Sequence, residues 1–212
     1  DRGSVVATDG SAWNREHTWP RSRGIINGGN PANSDIHMLR PSDYGINSDR
    51  GSLNFGGTYG VGHSGSGDYG TVSGSLWYPG DADAGMVARH AYYAAVRYDG
   101  SDANTNDLEL GFGSNRLGDP ARLLEWHFAA PPDEFERRRN DVVYGYQNNR
   151  NPFIDHPEWA WSIFEGAGNT SRIEIAGASS TSNGASTLDL DLGSVFAGAA
   201  VPSDQNVTLN KG

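Results

Sequence analysis

The stretch DIHMLRPSDYGINSDRG, residues 35–51, decides the fold expected for this chain, because a strand pattern turns into a helix start within it. Ile36 and Leu39 alternate with polar neighbours, as in a short strand. Residues 41–43 (Pro-Ser-Asp) then predict the start of a short helix, with either the Ser or the Asp as its N-cap. Gly51 is a natural end for that helix. The stretch therefore predicts a strand that leads directly into a helix.

An earlier strand-like stretch, WNREHTWPRSR at residues 13–23, carries the adjacent pair Glu16 and His17, while the predicted short helix carries Asn47. Glu and Asn oxygens suit a hard cation such as Mg²⁺. A neutral His beside such a site could deprotonate water, and nearby Arg side chains could hold phosphate. The alternative is that these groups form ordinary structural hydrogen bonds and ion pairs. The residues alone leave both interpretations open.

Three longer stretches predict helices. Apolar side chains recur at helical spacing in residues 82–98, and a proline suited to a first helical turn opens residues 120–128. Residues 133–148 begin with Asp and Glu at capping-box spacing. The buried face predicted for this third helix consists of Phe135, Arg139, Val142, Val143 and Tyr146. The glycine-rich residues 51–75 predict a long loop.

Composition limits the function classes. The 212 residues include no cysteine, which excludes disulfides, thiolate metal sites and cysteine nucleophiles. No run of about 18 apolar residues predicts a membrane span. The net charge of −10 argues against a nucleic-acid partner, but 15 of the 16 basic residues are Arg, the better bidentate phosphate ligand. Seven of these lie in or beside the stretches described above: Arg15, Arg21, Arg23, Arg40, Arg50, Arg89 and Arg97.

Several collinear motifs resemble the bacterial endonuclease I and secreted non-specific nuclease family. NREHTWPRS (14–22) resembles its first active-site strand, residues 35–51 its second segment, and GMVARHAYYAAVRY (85–98) its following helix. Later matches are LLEWH (123–127), FERRRND (135–141) and QNNRNPFIDHPEW (147–159). The likeness runs in order from about residue 13 to residue 160. It is therefore far more specific than any one motif.

The resemblance implies an α+β fold: a ββα-metal (His-Me finger) nuclease core with surrounding helices and long loops, to which a β-rich C-terminal tail is added here. The implied activity is metal-dependent endonuclease cleavage of DNA, with RNA as a further candidate. Little sequence specificity and 5′-phosphate and 3′-hydroxyl ends are expected. A secreted or periplasmic location is implied as well. No membrane association and no obligate protein partner are expected.

The resemblance also implies roles for particular residues. His17 corresponds to the general base, and Glu16 and Asn47 to the ligands of a single divalent cation, with Mg²⁺ expected first and Mn²⁺ or Ca²⁺ as alternatives. Arg40 is the favoured candidate for stabilising the scissile phosphate. Further nucleic-acid contacts are expected from Arg15, Arg21, Arg23 and Arg50. Because adjacent strand residues point to opposite faces, Glu16 and His17 require a bulge or a strand end.

Residues 1–168 are predicted to form the nuclease domain, and residues 169–212 a linker and β-rich extension. The extension is either the start of a truncated second module or a tail packed on the catalytic domain. An alternative function is a secreted binding module that carries a decayed nuclease domain. The presence of Glu16, His17 and Asn47 argues against decay. A different phosphodiesterase on the same fold is a third hypothesis.

Overall fold

The structure is a computed structural model that describes residues 13–25, 31–58, 68–72, 75–101 and 105–164, together with the backbone of residues 172–174 and 208–210. The strands are β1 (Trp13–His17), β2 (Leu39–Asp43), β3 (Asn54–Phe55), β4 (Gly70–Val72), β5 (Leu76–Tyr78), β6 (Glu109–Leu110), β7 (Arg116–Leu117), β8 (Arg172–Glu174) and β9 (Thr208–Asn210). The α-helices are α1 (Pro31–Ser34), α2 (Tyr44–Arg50), α3 (Asp81–Arg97), α4 (Pro120–Ala129), α5 (Glu134–Gln147), α6 (Pro152–Asp155) and α7 (Trp159–Phe164). The predicted mixed α+β class is confirmed.

Strand β2 and helix α2 lie within residues 35–51, and β2 forms a hairpin with β1. The strands pair antiparallel, with Glu16 opposite Arg40 and His17 opposite Leu39. The short helix is confirmed: Asp43, one of the two predicted N-cap residues, is its N-cap, and the helix begins at Tyr44, directly after the end of β2. The Asp43 carboxylate caps α2 by accepting from the Gly45 and Ile46 amides at 2.8 and 3.2 Å.

The ends of this unit depend on two further local features. Gly51 ends α2 at a φ of 51°, a conformation that glycine adopts without a side-chain penalty. Residues 36–38 form a single 3₁₀ turn instead of the predicted strand. The Asp35 side chain stabilises this turn by accepting from the His37 amide at 3.0 Å. The cap that Asp35 provides thus favours a turn at residues 36–38 over the strand that the alternating pattern predicts.

The glycine-rich stretch contains two strands of a small sheet, so the prediction of one long loop is wrong for its described residues. The strand order is β3-β5-β4, with β3 parallel and β4 antiparallel to β5. Residues 59–67 and 73–74 lie outside the described part of the chain.

Helix α3 forms the centre of the core. Residues 84–94 are all buried, and the helix packs against α4 and α6. A Cβ atom at Gly85 would lie 2.2 Å from the Ala130 carbonyl oxygen, so glycine permits the close approach of the segment after α4. All three predicted long helices are confirmed to within two residues. No helix in the described ranges has the length and apolar character that a membrane crossing requires.

The face that α5 buries differs from the predicted one. Phe135 and Val142 are each 59% exposed, whereas Glu136 and Asn140 are buried with Val143. Burial of Glu136 is possible because Arg89 donates to both of its carboxylate oxygens, at 2.8 and 2.5 Å. Hydrogen-bonded polar groups therefore take the place of the expected apolar stripe.

A buried histidine predicts acid sensitivity of the fold. The His127 side chain lies between Tyr92 and Phe128, and its Nε2 donates to the Pro157 carbonyl at 2.8 Å. Burial lowers the pKa of His127 to about 4 from an ordinary 6.5, against that hydrogen bond. The unfolded chain therefore binds a proton below pH 6.5 that the folded chain rejects until about pH 4, and stability falls as the pH drops through this window.

We expect this group to remove about 2 kcal/mol of unfolding free energy between pH 7 and pH 5. Urea unfolding of the wild type and His127→Gln at both pH values measures it. The variant loses less stability over that interval. Equal losses in the two proteins would contradict the assignment.

The chain divides into two compact units, residues 1–168 and 169–212. In the second unit β8 and β9 pair antiparallel, with Ile173 opposite Leu209. The alternating residues 188–192 (LDLDL) lie outside the described part of the chain. The assignment of this unit as a linker and β-rich extension stays a prediction.

Candidate active site

One side of β1 faces α2. Asn47 donates through Nδ2 to Asn14 Oδ1 at 2.6 Å, and Arg50 donates through Nη1 to Glu16 Oε1 at 2.7 Å. Alternate residues of a strand share a face, and residues three apart on a helix are neighbours. The two contacts therefore run side by side, and the structure brings Glu16 and Asn47 to the same strand–helix interface.

His17 occupies the last position of β1 and contacts a different element. Its Nε2 lies 2.9 Å from the carbonyl oxygen of Asn33, in α1. A carbonyl can only accept, so Nε2 carries the hydrogen, and the Nδ1 lone pair is left on a neutral ring. The pairing of β1 with β2 is regular through His17, so no bulge lies between Glu16 and His17, and only the strand end that follows His17 fits the predicted irregularity. The two side chains contact different elements: Glu16 contacts Arg50 of α2, and His17 contacts α1.

The charges around His17 favour its neutral form. Burial lowers the pKa of His17 below its ordinary 6.5, the hydrogen bond to Asn33 opposes this, and the positive charges of Arg15, Arg21 and Arg50 lower it further. The imidazole is thus unprotonated at neutral pH. Burial raises the pKa of Glu16, an effect that the Arg50 charge opposes.

Three of the predicted phosphate-binding arginines are exposed or half-buried. Arg15 and Arg21 are exposed, and both are close enough to influence the pKa of His17. Arg40 is half-buried opposite Glu16, and its guanidinium carbon lies 5.3 Å from the centre of the Phe135 ring. This cation–π contact places the Arg40 head group against the exposed Phe135 ring of α5.

Arg50 and Arg23 differ from the prediction that they contact nucleic acid. Arg50 is only 3% exposed and donates to Glu16 and to backbone carbonyls within the protein. Burial lowers its pKa to about 10, so it stays charged at neutral pH. Arg23 donates to the carbonyls of Ser52, Gly113 and Arg116 at 2.8–2.9 Å. In this arrangement both guanidinium groups brace the fold and do not present donors to a phosphate.

A second polar network supports the start of β2. The buried Asp35 carboxylate accepts from the hydroxyls of Tyr93 and Tyr98 at 2.6 and 2.7 Å and from Gln147 Nε2 at 2.7 Å. His37 is buried, and its Nε2 donates to the Asn149 carbonyl at 3.1 Å. Asp35 and His37 therefore connect the chain just before β2 to α3 and to the end of α5, which stabilises the start of β2.

Sequence reasoning missed several supporting groups. Asn14 lies inside the matched motif, and its position two residues before Glu16 is the signal that could have found it. Asn33 acts through its backbone carbonyl, which no side-chain pattern reveals. Arg139 donates to the carbonyls of Ile36 and Leu39 at 2.5 and 2.8 Å from about 100 residues away in sequence.

The donor set around Glu16 and Asn47 fits a hard divalent cation. Among the described residues, no hydrogen bond uses the second Glu16 oxygen, Oε2, or the Asn47 Oδ1 atom. Both are hard oxygen donors at one interface, and water and phosphate would complete the coordination. No group of three or more His, Cys, Asp or Glu side chains in the described ranges is placed to hold a metal ion.

The hairpin β1–β2, helix α2 and the histidine at the end of β1 all lie within the range over which the chain is similar to known proteins. The chain belongs to the endonuclease I family, whose profile matches residues 1–158. It is 46% identical over 160 residues to a protein of Bacillus subtilis (strain 168) named extracellular ribonuclease. It is 44% identical over 158 residues to the protein of the same name from Bacillus amyloliquefaciens. Each match covers 72% of this chain and 54% of the relative, so the chain spans about half the length of these two proteins.

Proposed function

We propose that this chain is a secreted, cation-dependent endonuclease that hydrolyses phosphodiester bonds in DNA and RNA, with His17 as its general base. The observation that carries the proposal is the environment of His17: a neutral ring whose Nε2 is held by Asn33 and whose Nδ1 is left to accept a proton. A base that is unprotonated at the working pH is what water activation requires. The names of the two relatives support RNA as a substrate and an extracellular location.

The proposed reaction is hydrolysis by one water molecule. His17 Nδ1 takes a proton from the water, whose oxygen forms a bond to phosphorus while the bond from phosphorus to the 3′ oxygen breaks. The leaving oxygen acquires a proton from solvent, which gives 5′-phosphate and 3′-hydroxyl ends. Glu16 Oε2 and Asn47 Oδ1 would hold the cation, Mg²⁺ in the first place, on the hairpin and helix of a His-Me finger. When bound, the cation supplies charge stabilisation at the scissile phosphate and the leaving oxygen.

The arginines are proposed to bind substrate through its backbone. Arg15 and Arg21 present exposed charges beside His17, and Arg40, opposite Glu16 on β2, packs against the Phe135 ring of α5. Contacts to phosphates position a nucleic acid without reading its bases. This accounts for the low sequence specificity that we propose.

A cleavage assay tests the proposed function. Plasmid DNA, single-stranded DNA and single-stranded RNA are incubated with the chain in Mg²⁺ and in excess EDTA, and the product ends are identified by phosphatase-dependent labelling. We expect cleavage of DNA and RNA in Mg²⁺ only. Cleavage in EDTA would reject the cation. Binding without cleavage under any of Mg²⁺, Mn²⁺ and Ca²⁺ would favour a binding module with a decayed site.

The role of Arg15 and Arg21 predicts a change in salt dependence. In the double variant Arg15→Ala/Arg21→Ala, the slope of log affinity against log salt concentration is expected to fall by about 1 to 2, since each phosphate contact releases about one counterion. Fluorescence anisotropy with a labelled oligonucleotide in Ca²⁺ measures it. The control, Arg137→Ala/Arg138→Ala, removes two exposed charges from α5. An equal change in the control would indicate a general charge effect and reject the specific contacts.

A further inference from the structure

We propose that Arg50 is a positioning residue, which ties the end of β1 to α2 so that Glu16 and Asn47 keep one fixed arrangement. This inference rests on the proposed function, because it assigns Arg50 a task in the cation site described there. Arg50 is one of the seven arginines that the sequence places near the motifs, and its contacts separate it from the exposed ones.

Arg50 donates hydrogen bonds to three consecutive residues. Its Nη1 donates to Glu16 Oε1 at 2.7 Å and to the His17 carbonyl at 3.1 Å, and its Nη2 donates to the Thr18 carbonyl at 2.6 Å. Asn47 is on the same helix, three residues earlier, and contacts Asn14 on the same strand. Strand and helix are therefore joined by two adjacent contacts, and only the Arg50 contact reaches the backbone of the proposed base.

The surroundings of Arg50 hold its guanidinium group in one position. Its guanidinium carbon lies 4.5 Å from the centre of the Phe55 ring, and the residue is buried. The buried Nε has no hydrogen-bond partner in the described part of the chain. An unsatisfied buried donor is a cost that native proteins rarely accept without a reason. The other donors of this side chain are directed to the carboxylate and the carbonyls at the site, which supplies such a reason.

The hydrogen bond from Arg50 also determines which Glu16 oxygen is left to bind a cation. Because Oε1 accepts from Arg50, Oε2 is the oxygen left for coordination, and its direction follows from the position of the guanidinium. A lysine at this position would keep the charge, but an ammonium lacks the planar fork that spans a carboxylate and two carbonyls. Arg50→Lys thus separates the positioning of Glu16 from the presence of a positive charge.

The chain offers a matched control in Arg89. It is also buried, and it is paired with Glu136 at 2.5 Å, but this pair joins α3 to α5 and not the hairpin to α2. Arg50→Lys and Arg89→Lys both weaken a buried Arg–Glu pair. We expect both to lower the melting temperature of the full chain.

Two further readouts distinguish positioning from stability: Mn²⁺ affinity by calorimetry in the absence of nucleic acid, and kcat and KM for oligonucleotide cleavage. For Arg50→Lys we expect Mn²⁺ binding to weaken about 10-fold and kcat to fall about 10- to 100-fold, with little change in KM, the effects typical of groups that orient metal ligands. Arg89→Lys is expected to change neither quantity by more than about 2-fold.

Wild-type Mn²⁺ affinity and kcat in Arg50→Lys would overturn the proposal. If Arg50→Lys does not fold, Arg50→Ala is titrated with Mn²⁺ with and without methylguanidinium: recovered affinity supports positioning, and a folded variant without recovery overturns it. Loss of the fold in both variants also overturns it, because Arg50 then serves folding alone. A wild type that neither binds Mn²⁺ nor cleaves would instead reject the proposed function itself, and the role of Arg50 with it.

Discussion

Replacement of His17 by alanine is expected to lower kcat for nucleic-acid cleavage by about 10³-fold, within the range typical of a lost general base. The variant lacks the only imidazole at the end of β1, while the strand keeps its register with β2 through backbone hydrogen bonds. It loses one half-buried hydrogen bond, to Asn33, so the melting temperature is expected to fall by no more than about 4 °C. Single-turnover assays and thermal unfolding measure the two effects.

The pH profile provides a second signature of the same residue. Because burial and the neighbouring arginines lower the pKa of His17, the wild-type rate is expected to fall on acidification with a midpoint below 6.5. The control is His156→Ala, which removes an exposed imidazole beside Glu158. Undiminished digestion of plasmid DNA by His17→Ala, with the control behaving identically, would reject His17 as the base.

Glu16→Gln is expected to have the next largest effect, a loss of about 10²- to 10³-fold in kcat together with cation binding weakened by at least about 10-fold. Glutamine has the same shape and can still accept from Arg50 through its amide oxygen, so the substitution chiefly removes the negative charge from the site. The melting temperature is also expected to fall, because the buried Arg50 loses its charged partner.

The cation dependence of the loss identifies its cause. Raising the Mn²⁺ concentration is expected to restore part of the Glu16→Gln activity, and excess EDTA is expected to abolish the wild-type activity. Glu134→Gln, at an exposed position on α5, removes the same charge far from these contacts and serves as the control. A Glu16→Gln enzyme with wild-type cation affinity would show that the carboxylate is not a ligand.

The sequence predicted the elements that depend on local chemistry. Helix α4 begins at Pro120 because the Asp119 side chain caps it, and α5 begins after Asp133 for the same reason. In both cases the capping residue directly precedes the helix that it starts. The start of α2 was predicted as well, since Asp43 is its N-cap, but the pairing of residues 41–43 with β1 was not, because Pro, Ser and Asp are poor strand formers.

What could not be predicted depends on distant partners. Phe135 and Tyr146 fit an apolar helical stripe, yet the buried face of α5 is the one whose Glu136 meets Arg89, 47 residues away in sequence. The same limit applies to Arg50, because the sequence does not distinguish an arginine that contacts a phosphate from one that contacts an internal carbonyl. The role of Arg50 is seen only from its contacts with Glu16 and Thr18.

The groups that hold the start of β2 come from late in the chain, and this has a consequence for biosynthesis. Arg139, Gln147 and Asn149 support residues 35–39, although Glu16, His17 and Asn47 all precede residue 50. During translation these three residues therefore emerge long before the segment that supports the start of β2. The described arrangement of the start of β2 is expected to form only after Asn149 has been made, because the Asn149 carbonyl accepts from His37.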